Sequence, residues 1–223
     1  AAFDGTAQAY SLQAATHDDF AMDHVSPAVR TLMASVVGSL EILRNGSLGE
    51  LLPHQQRILG VACRNSNQLV ALLDDIFVSE KILRNEFSIV RTEISVTEIL
   101  NSATAFVQTI YADRGLRWKV EFSSALDYVM ADAVQLQKAI VNVIANAAKF
   151  TTAPGSVAIR AVREYGTVII EISDTGVGIP EDEKKYLGKP FFQSSRTKMR
   201  HTDGVGLGFA VAKEIIERHD GTI

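Results

Sequence analysis

The 223-residue chain has a single cysteine, Cys63. An intramolecular disulfide is excluded and a cysteine-based zinc site is disfavoured, which fits a cytoplasmic setting. Nowhere do 18 apolar residues run together, and no signal-peptide pattern opens the sequence. These absences predict no membrane contact by this chain, whether it stands alone or is the soluble part of a longer membrane-bound receptor. Clusters of five or more Lys and Arg are also missing. With a formal net charge of −4 and a pI near 5.8, nucleic acid and anionic membrane are poor partners. No GKS or GKT occurs, so the P-loop is excluded as a phosphate site. Against these absences stands a hydrophobic content of 47%, enough to fill a core in a chain of this length.

Residues 1–19 are small and polar, with the weak periodicity of a linker or the tail of an upstream module. From there the apolar residues Val29, Leu32, Met33, Val36, Val37, Leu40 and Leu43 recur at helical spacing. The stretch RNGSLGELLP breaks that pattern. A second helical stripe follows with Ile58, Ala62, Leu69, Leu72 and Ile76, running to about Leu83. Two long helices joined by a short turn make an antiparallel hairpin. Such a hairpin cannot bury a wide stripe alone, so two copies are expected to pair into a four-helix bundle, a homodimer. The alternative is that the stripe packs on the chain's own C-terminal half.

Beyond about Arg84 strands and helices alternate. FSIVRTEIS suggests a strand, and 96–110 a helix with Val96, Ile99, Leu100, Ala103, Phe106, Val107 and Ile110 inward. WKVEF and DYVM suggest short strands, 135–150 a helix, SVAIRAVRE and TVIIEISD two strands about a turn at Gly166, and 205–219 a last helix. The class is α+β, a mixed sheet with helices on one face.

Four segments of this half carry chemistry. In NVIANAAKFT, Asn142 and Asn146 are four residues apart and share a helix face. Their carboxamide oxygens suit a hard cation without repelling phosphate, and Lys149 on the same turn can meet a phosphate. Two solvated asparagines would look the same. In DTGVGIP, Asp174 ends an apolar strand, with Gly176 and Gly178 allowing close backbone approach. A carboxylate there can accept a hydrogen bond from an exocyclic amine; a plain turn would read alike. QSSRTKMRHTD offers Arg196, Lys198 and Arg200 to a triphosphate, or is an ordinary solvated loop. GVGLGFAVAKEI opens a helix with a glycine-rich loop whose free N–H groups favour phosphate.

The order of these segments resembles the sensor histidine kinases over roughly residues 20–223. NVIANAAKFT is similar to the family's N box, DTGVGIP to its G1 box, KPFFQ to its F box and GVGLG to its G2 box. The resemblance implies a dimerising helical hairpin over 20–87 and, over 88–223, an α/β sandwich ATP-binding domain of the Bergerat type. It further implies Mg²⁺ on Asn146, a nucleotide site lined by Asn142 and Lys149, adenine on Asp174, and Gly204, Gly206 and Gly208 flanking the phosphates of ATP. Gly188 and Lys189 depart from the family's Phe and Glu in the F box. The chain stops at HDGTI, where the family continues into final strands.

The largest departure is in the first helix. Aligned without gaps on the phosphoacceptor pattern of the family, the chain matches at Ser26, Arg30, Thr31, Gly38, Glu41 and Leu43. That register puts Pro27 where the family has its histidine and Ala28 where it has an acid. A pyrrolidine ring offers no nitrogen lone pair to a γ-phosphate, and Ala28 can neither orient a ring nor take its proton. His24 lies about 4.5 Å away along the helix axis, at 1.5 Å per residue. Thr31 matches the position that places a water in family phosphatases. The leading expectation is a degenerate kinase core that binds ATP and Mg²⁺ and serves as regulatory partner of another histidine kinase or of a response regulator. An active kinase using His24, and an ATPase of chaperone or repair type on the same nucleotide fold, are the alternatives.

Overall fold

The computed structural model describes residues 28–123, 126, 128–198 and 204–223. Pro27 and His24 lie outside them. Two compact units are present, one ending at Phe77 and one spanning Val78–Ile223.

The first unit holds helix α1 (28–44) and most of helix α2 (Pro53–Leu83). Gly46 and Gly49, at φ +76° and +116°, turn the chain between them. Proline at the first position of α2 leaves an amide that no helix would use absent, and Gln55 Oε1 accepts the Leu52 N–H at 2.9 Å to satisfy another. Arg30 Nε donates to Asp74 Oδ1 at 3.1 Å, and its guanidinium lies 4.8 Å from the centre of the Phe77 ring. The start of α1 therefore meets the far end of α2, as the antiparallel reading requires. The apolar stripe divides. Leu59 and Cys63 are buried and Val29, Met33, Val37 and Leu40 half-buried, whereas Leu32 (63% exposed) and Val36 on α1 and Ile58 (68%), Leu69 and Ile76 on α2 stay open.

The second unit is built on two small sheets. Strand β1 (Thr92–Ser95) pairs antiparallel with β3 (Tyr128–Ala131). Strand β2 (Arg117–Phe122) runs parallel to β4 (Ser156–Glu164), which pairs antiparallel with β5 (Thr167–Asp174). The alternation Val157, Ile159, Ala161 turns one face of β4 inward. It meets Leu100, Ala103 and Val107 of helix α3 (Val96–Ile110) and Ile140, Ile144 and Ala148 of helix α4 (Ala133–Phe150). A second cluster joins Ala139 of α4 to Phe87 and to Val211, Ala212 and Ile215 of the last helix, which follows the short helix α5 (Ser195–Lys198). Helix α4 is thus packed on two sides, which fixes the residues of its remaining face.

Three expectations are corrected. The strand expected over FSIVRTEIS is confined to Thr92–Ser95. Its first residues are used otherwise: Phe87 is buried, its carbonyl accepts Arg218 Nη1 at 2.8 Å, and the Val90 N–H donates to Asp132. Phe106 and Ile110 are 55% and 48% exposed, because one sits at the edge of the α3 stripe and the other is its last residue. The single mixed sheet is two sheets, of two and three strands among the described residues.

Asp132 begins α4. Its Oδ1 accepts the Gln135 N–H at 3.1 Å, its Oδ2 accepts the Val90 N–H at 3.0 Å, and its own N–H donates to His219 Nε2 at 2.9 Å. His219 therefore carries its proton on Nδ1, which donates to Ile215 O at 2.7 Å. Burial by itself raises the Asp132 carboxyl, but the amides of Val90, Gln135 and Val134 outweigh it and hold the group below its ordinary value of 3.8. A folded pKa below the unfolded one gives stability that is full above that value and lost as the pH falls beneath it. Asp132→Ala is expected to cost about 1 kcal/mol at neutral pH, read from urea denaturation, with the difference from the unaltered chain shrinking in acid.

Candidate functional site

Helix α4 carries three of the predicted polar residues along the face its packing leaves open. Asn142 Nδ2 donates to Gly208 O at 3.0 Å, which ties the helix to the first residue of α6 (Gly208–Arg218) and leaves Asn142 Oδ1 uncommitted by that bond. Asn146, one turn on, is half-buried, and its side chain makes no hydrogen bond among the described residues. Lys149 sends its ammonium to the glycine-rich segment: a Cβ on Gly204 would collide with Lys149 Nζ. The same ammonium lies 5.2 Å from the centre of the Phe150 ring. Alpha-helical spacing alone brings these three side chains together.

The end of α4 also touches the other glycine segment. Asp174, the last residue of β5, is exposed, and its Oδ1 accepts the Gly176 N–H at 2.8 Å. The turn is pressed on the helix: the Val177 N–H reaches Phe150 O at 3.4 Å, and a Cβ on Gly176 would lie 2.5 Å from that carbonyl oxygen. Only glycine fits there. Gly178, at φ +65°, continues the turn.

The segment between the glycine turns is organised by its own side chains. Both oxygens of Glu183 accept the Ser195 N–H, at 3.2 and 3.3 Å. The neighbouring Ser194 and Ser195 side chains lead in holding the Glu183 carboxyl below its ordinary range, helped by the Ser195 amide and the Arg196 charge. Arg196, expected to reach a triphosphate, donates from Nη1 to Val177 O at 2.8 Å and so braces the Asp174 turn. Arg200 lies outside the described residues. Gly188 sits at φ +83° with Lys213 where a side chain would begin, which is how the departure from Phe is accommodated.

One residue of the site was not assigned a role from sequence. Gln193 ends the KPFFQ segment, and its Nε2 donates to Gly204 O at 2.6 Å. Beside it, the Phe191 N–H donates to Gly206 O at 3.1 Å, and a Cβ on Gly206 (φ +80°) would lie 2.5 Å from Phe192 O. The two loops are therefore one rigid piece. Phe191 is held at φ +63° and is 66% exposed, a strained backbone that its fixed neighbours maintain. Gly206→Ala forces the loops apart and is expected to cost ~1–3 kcal/mol, visible as a lowered melting temperature. The glycine of this motif thus has a steric reason, and the positions of Gly204, Gly206 and Gly208 on one run leave backbone N–H groups at a helix start, a setting that suits phosphate.

Residues 131–223 match the family described as histidine kinase-, DNA gyrase B-, and HSP90-like ATPase. The circadian input-output histidine kinase CikA of Synechococcus elongatus is 28% identical over 204 residues, 89% of this chain and 27% of that protein. The autoinducer 2 sensor kinase/phosphatase LuxQ of Vibrio vulnificus is 29% identical over 217 residues, 94% of this chain and 25% of that protein. The chain therefore spans about a quarter of the length of these relatives. Full-length ShkA, solved in complex with AMPPNP, shares the fold over 88% of this chain and 40% of its own, with a TM-score of 0.65 at 23% identity. Residues 131–223, which carry α4, both glycine turns and α6, thus match the histidine kinase-, DNA gyrase B-, and HSP90-like ATPase family, within a chain similar to sensor histidine kinases along most of its length.

Proposed function

We propose that this chain is the core of a two-component signalling protein that binds ATP with Mg²⁺ and does not phosphorylate itself at the usual position. The observation that carries the nucleotide reading is the convergence on α4: Asn142 on Gly208, Lys149 on Gly204, and the Phe150 carbonyl on the Asp174 turn. In this reading Asp174 accepts the adenine amine, Gly176 and Gly178 let the base approach, and Gly204, Gly206 and Gly208 face the phosphates. Asn142 and Lys149 line the site. Asn146, half-buried and with no side-chain hydrogen bond among the described residues, fits a magnesium ion shared with phosphate oxygens. Bound Mg-ATP would supply a transferable phosphoryl group; this chain's residues bind and orient it.

The hairpin, 20–87, is read as the dimerisation element and 88–223 as the nucleotide domain. The open row of Leu32, Val36, Ile58, Leu69 and Ile76 suits a second copy, and the pair would form a four-helix bundle. Sedimentation of the chain as a monomer would contradict this. Thr31 is exposed on α1, but with Pro27 and Ala28 beside it neither acceptor nor proton-handling group is at hand. The signalling role is then conformational, toward another histidine kinase or a response regulator. Calorimetric titration with ATP tests the nucleotide half: binding that tightens when magnesium is added is expected, and no binding in either condition would overturn it.

A further inference from the structure

The last carbonyls of a helix have no partner inside it. At the end of α4, Phe150 O is approached by the Val177 N–H, and Lys149 O is taken from the opposite side of the sequence by Arg114, whose Nη1 donates to it at 2.8 Å. Arg114 is built to stay there. It ends a single 3₁₀ turn, Ala112–Arg114, its own N–H donates to Tyr111 O at 3.1 Å, and Gly115 at φ +63° closes the turn. Its guanidinium lies 5.3 Å from the centre of the Tyr111 ring, and that ring packs against the main core. Burial pushes the Tyr111 phenol up, with the Arg114 charge opposing, so the ring stays neutral and its face is available to the cation.

The placement has a consequence for the site. A cation at a helix C-terminus steadies the final turn, and the peptide it holds is the one from which Lys149 projects toward Gly204. We propose that Arg114 is a positioning residue for the phosphates of the bound nucleotide, acting through Lys149. This rests on the reading of Lys149 as a phosphate contact. Arg114 bears on the adenine end only by way of Phe150 O, and two further bonds of the Asp174 turn, to Gly176 and to Arg196, do not pass through α4. Loss of Arg114 loosens one carbonyl anchor, widens the range of the Lys149 ammonium, and leaves the Val177 anchor in place.

The test is a double-mutant cycle on the full chain, with dissociation constants for ATP and for adenosine by ligand-observed NMR. Arg114→Ala is expected to weaken ATP about three- to tenfold and to leave adenosine unchanged. Arg114→Lys, which keeps a cation at the carbonyl, should recover most of the loss. In a Lys149→Ala background, Arg114→Ala should add nothing, because the residue acts through the lysine. Equal losses for ATP and adenosine, or an undiminished loss in the Lys149→Ala background, would overturn the role. If circular dichroism shows Arg114→Ala unfolded, Arg114→Gln carries the same cycle. Failure of the unaltered chain to bind ATP would overturn the nucleotide reading and this role with it. ATP binding that Lys149→Ala weakens and Arg114→Ala does not would overturn this role alone.

Discussion

Asp174→Asn is expected to weaken ATP binding about thirtyfold, ~2 kcal/mol, with the fold intact. The size follows from how the carboxylate is anchored. Its Oδ1 accepts the Gly176 N–H at 2.8 Å, so Oδ2 is the atom turned to an incoming amine. An asparagine that keeps the Gly176 bond presents its own NH₂ to the adenine NH₂, donor against donor. One that flips to accept from the base loses the Gly176 bond and loosens a turn whose backbone is already in close contact with Phe150 O. Neither arrangement restores the original pair. An affinity unchanged by this substitution, measured by calorimetry on a chain with unaltered melting, would remove Asp174 from the site.

The second large effect is a gain. The unaltered chain incubated with γ-labelled ATP should acquire no acid-labile, alkali-stable label, because Pro27 has no side-chain atom able to accept a phosphoryl group. Pro27→His supplies the nitrogen, and Ala28→Glu supplies the carboxylate that fixes its tautomer and takes its proton. The second substitution is expected to raise the labelling rate about a hundredfold over Pro27→His alone, the usual yield of a positioned acid–base group. Replacing proline also frees φ and supplies a backbone N–H, so the substitution is expected to be tolerated. A doubly substituted chain that binds ATP and still takes no label would show that the proline is not the barrier.

The elements legible from sequence are those whose burial is one-sided. Strands β4 and β5 and helix α3 have the bounds that their periodicity predicts, because Val157, Ile159 and Ala161 alternate with less buried neighbours and the α3 stripe repeats at helical spacing. The turn at Gly166 was legible for the same local reason: Tyr165 and Gly166, at φ 50° and 85°, form the tight reversal that glycine permits. Illegible were the features made by distant partners. Residues 87–91 have strand-like composition, yet their backbone is held by Asp132 and Arg218. Arg196 looked like a phosphate ligand and is occupied with Val177 O. The contacts of Gln193 and Arg114 follow from no local pattern; their partners, Gly204 and Lys149, are 11 and 35 residues away. The residue types of the candidate site stand in the sequence, whereas their bracing required the fold.

Mass spectrometry of the unaltered chain after incubation with Mg-ATP, under conditions that preserve phosphohistidine, tests the central claim most directly. Nucleotide bound, with no phosphoryl adduct between Phe20 and Leu43, is the predicted result. An adduct on His24 that disappears in a His24→Ala chain would contradict it.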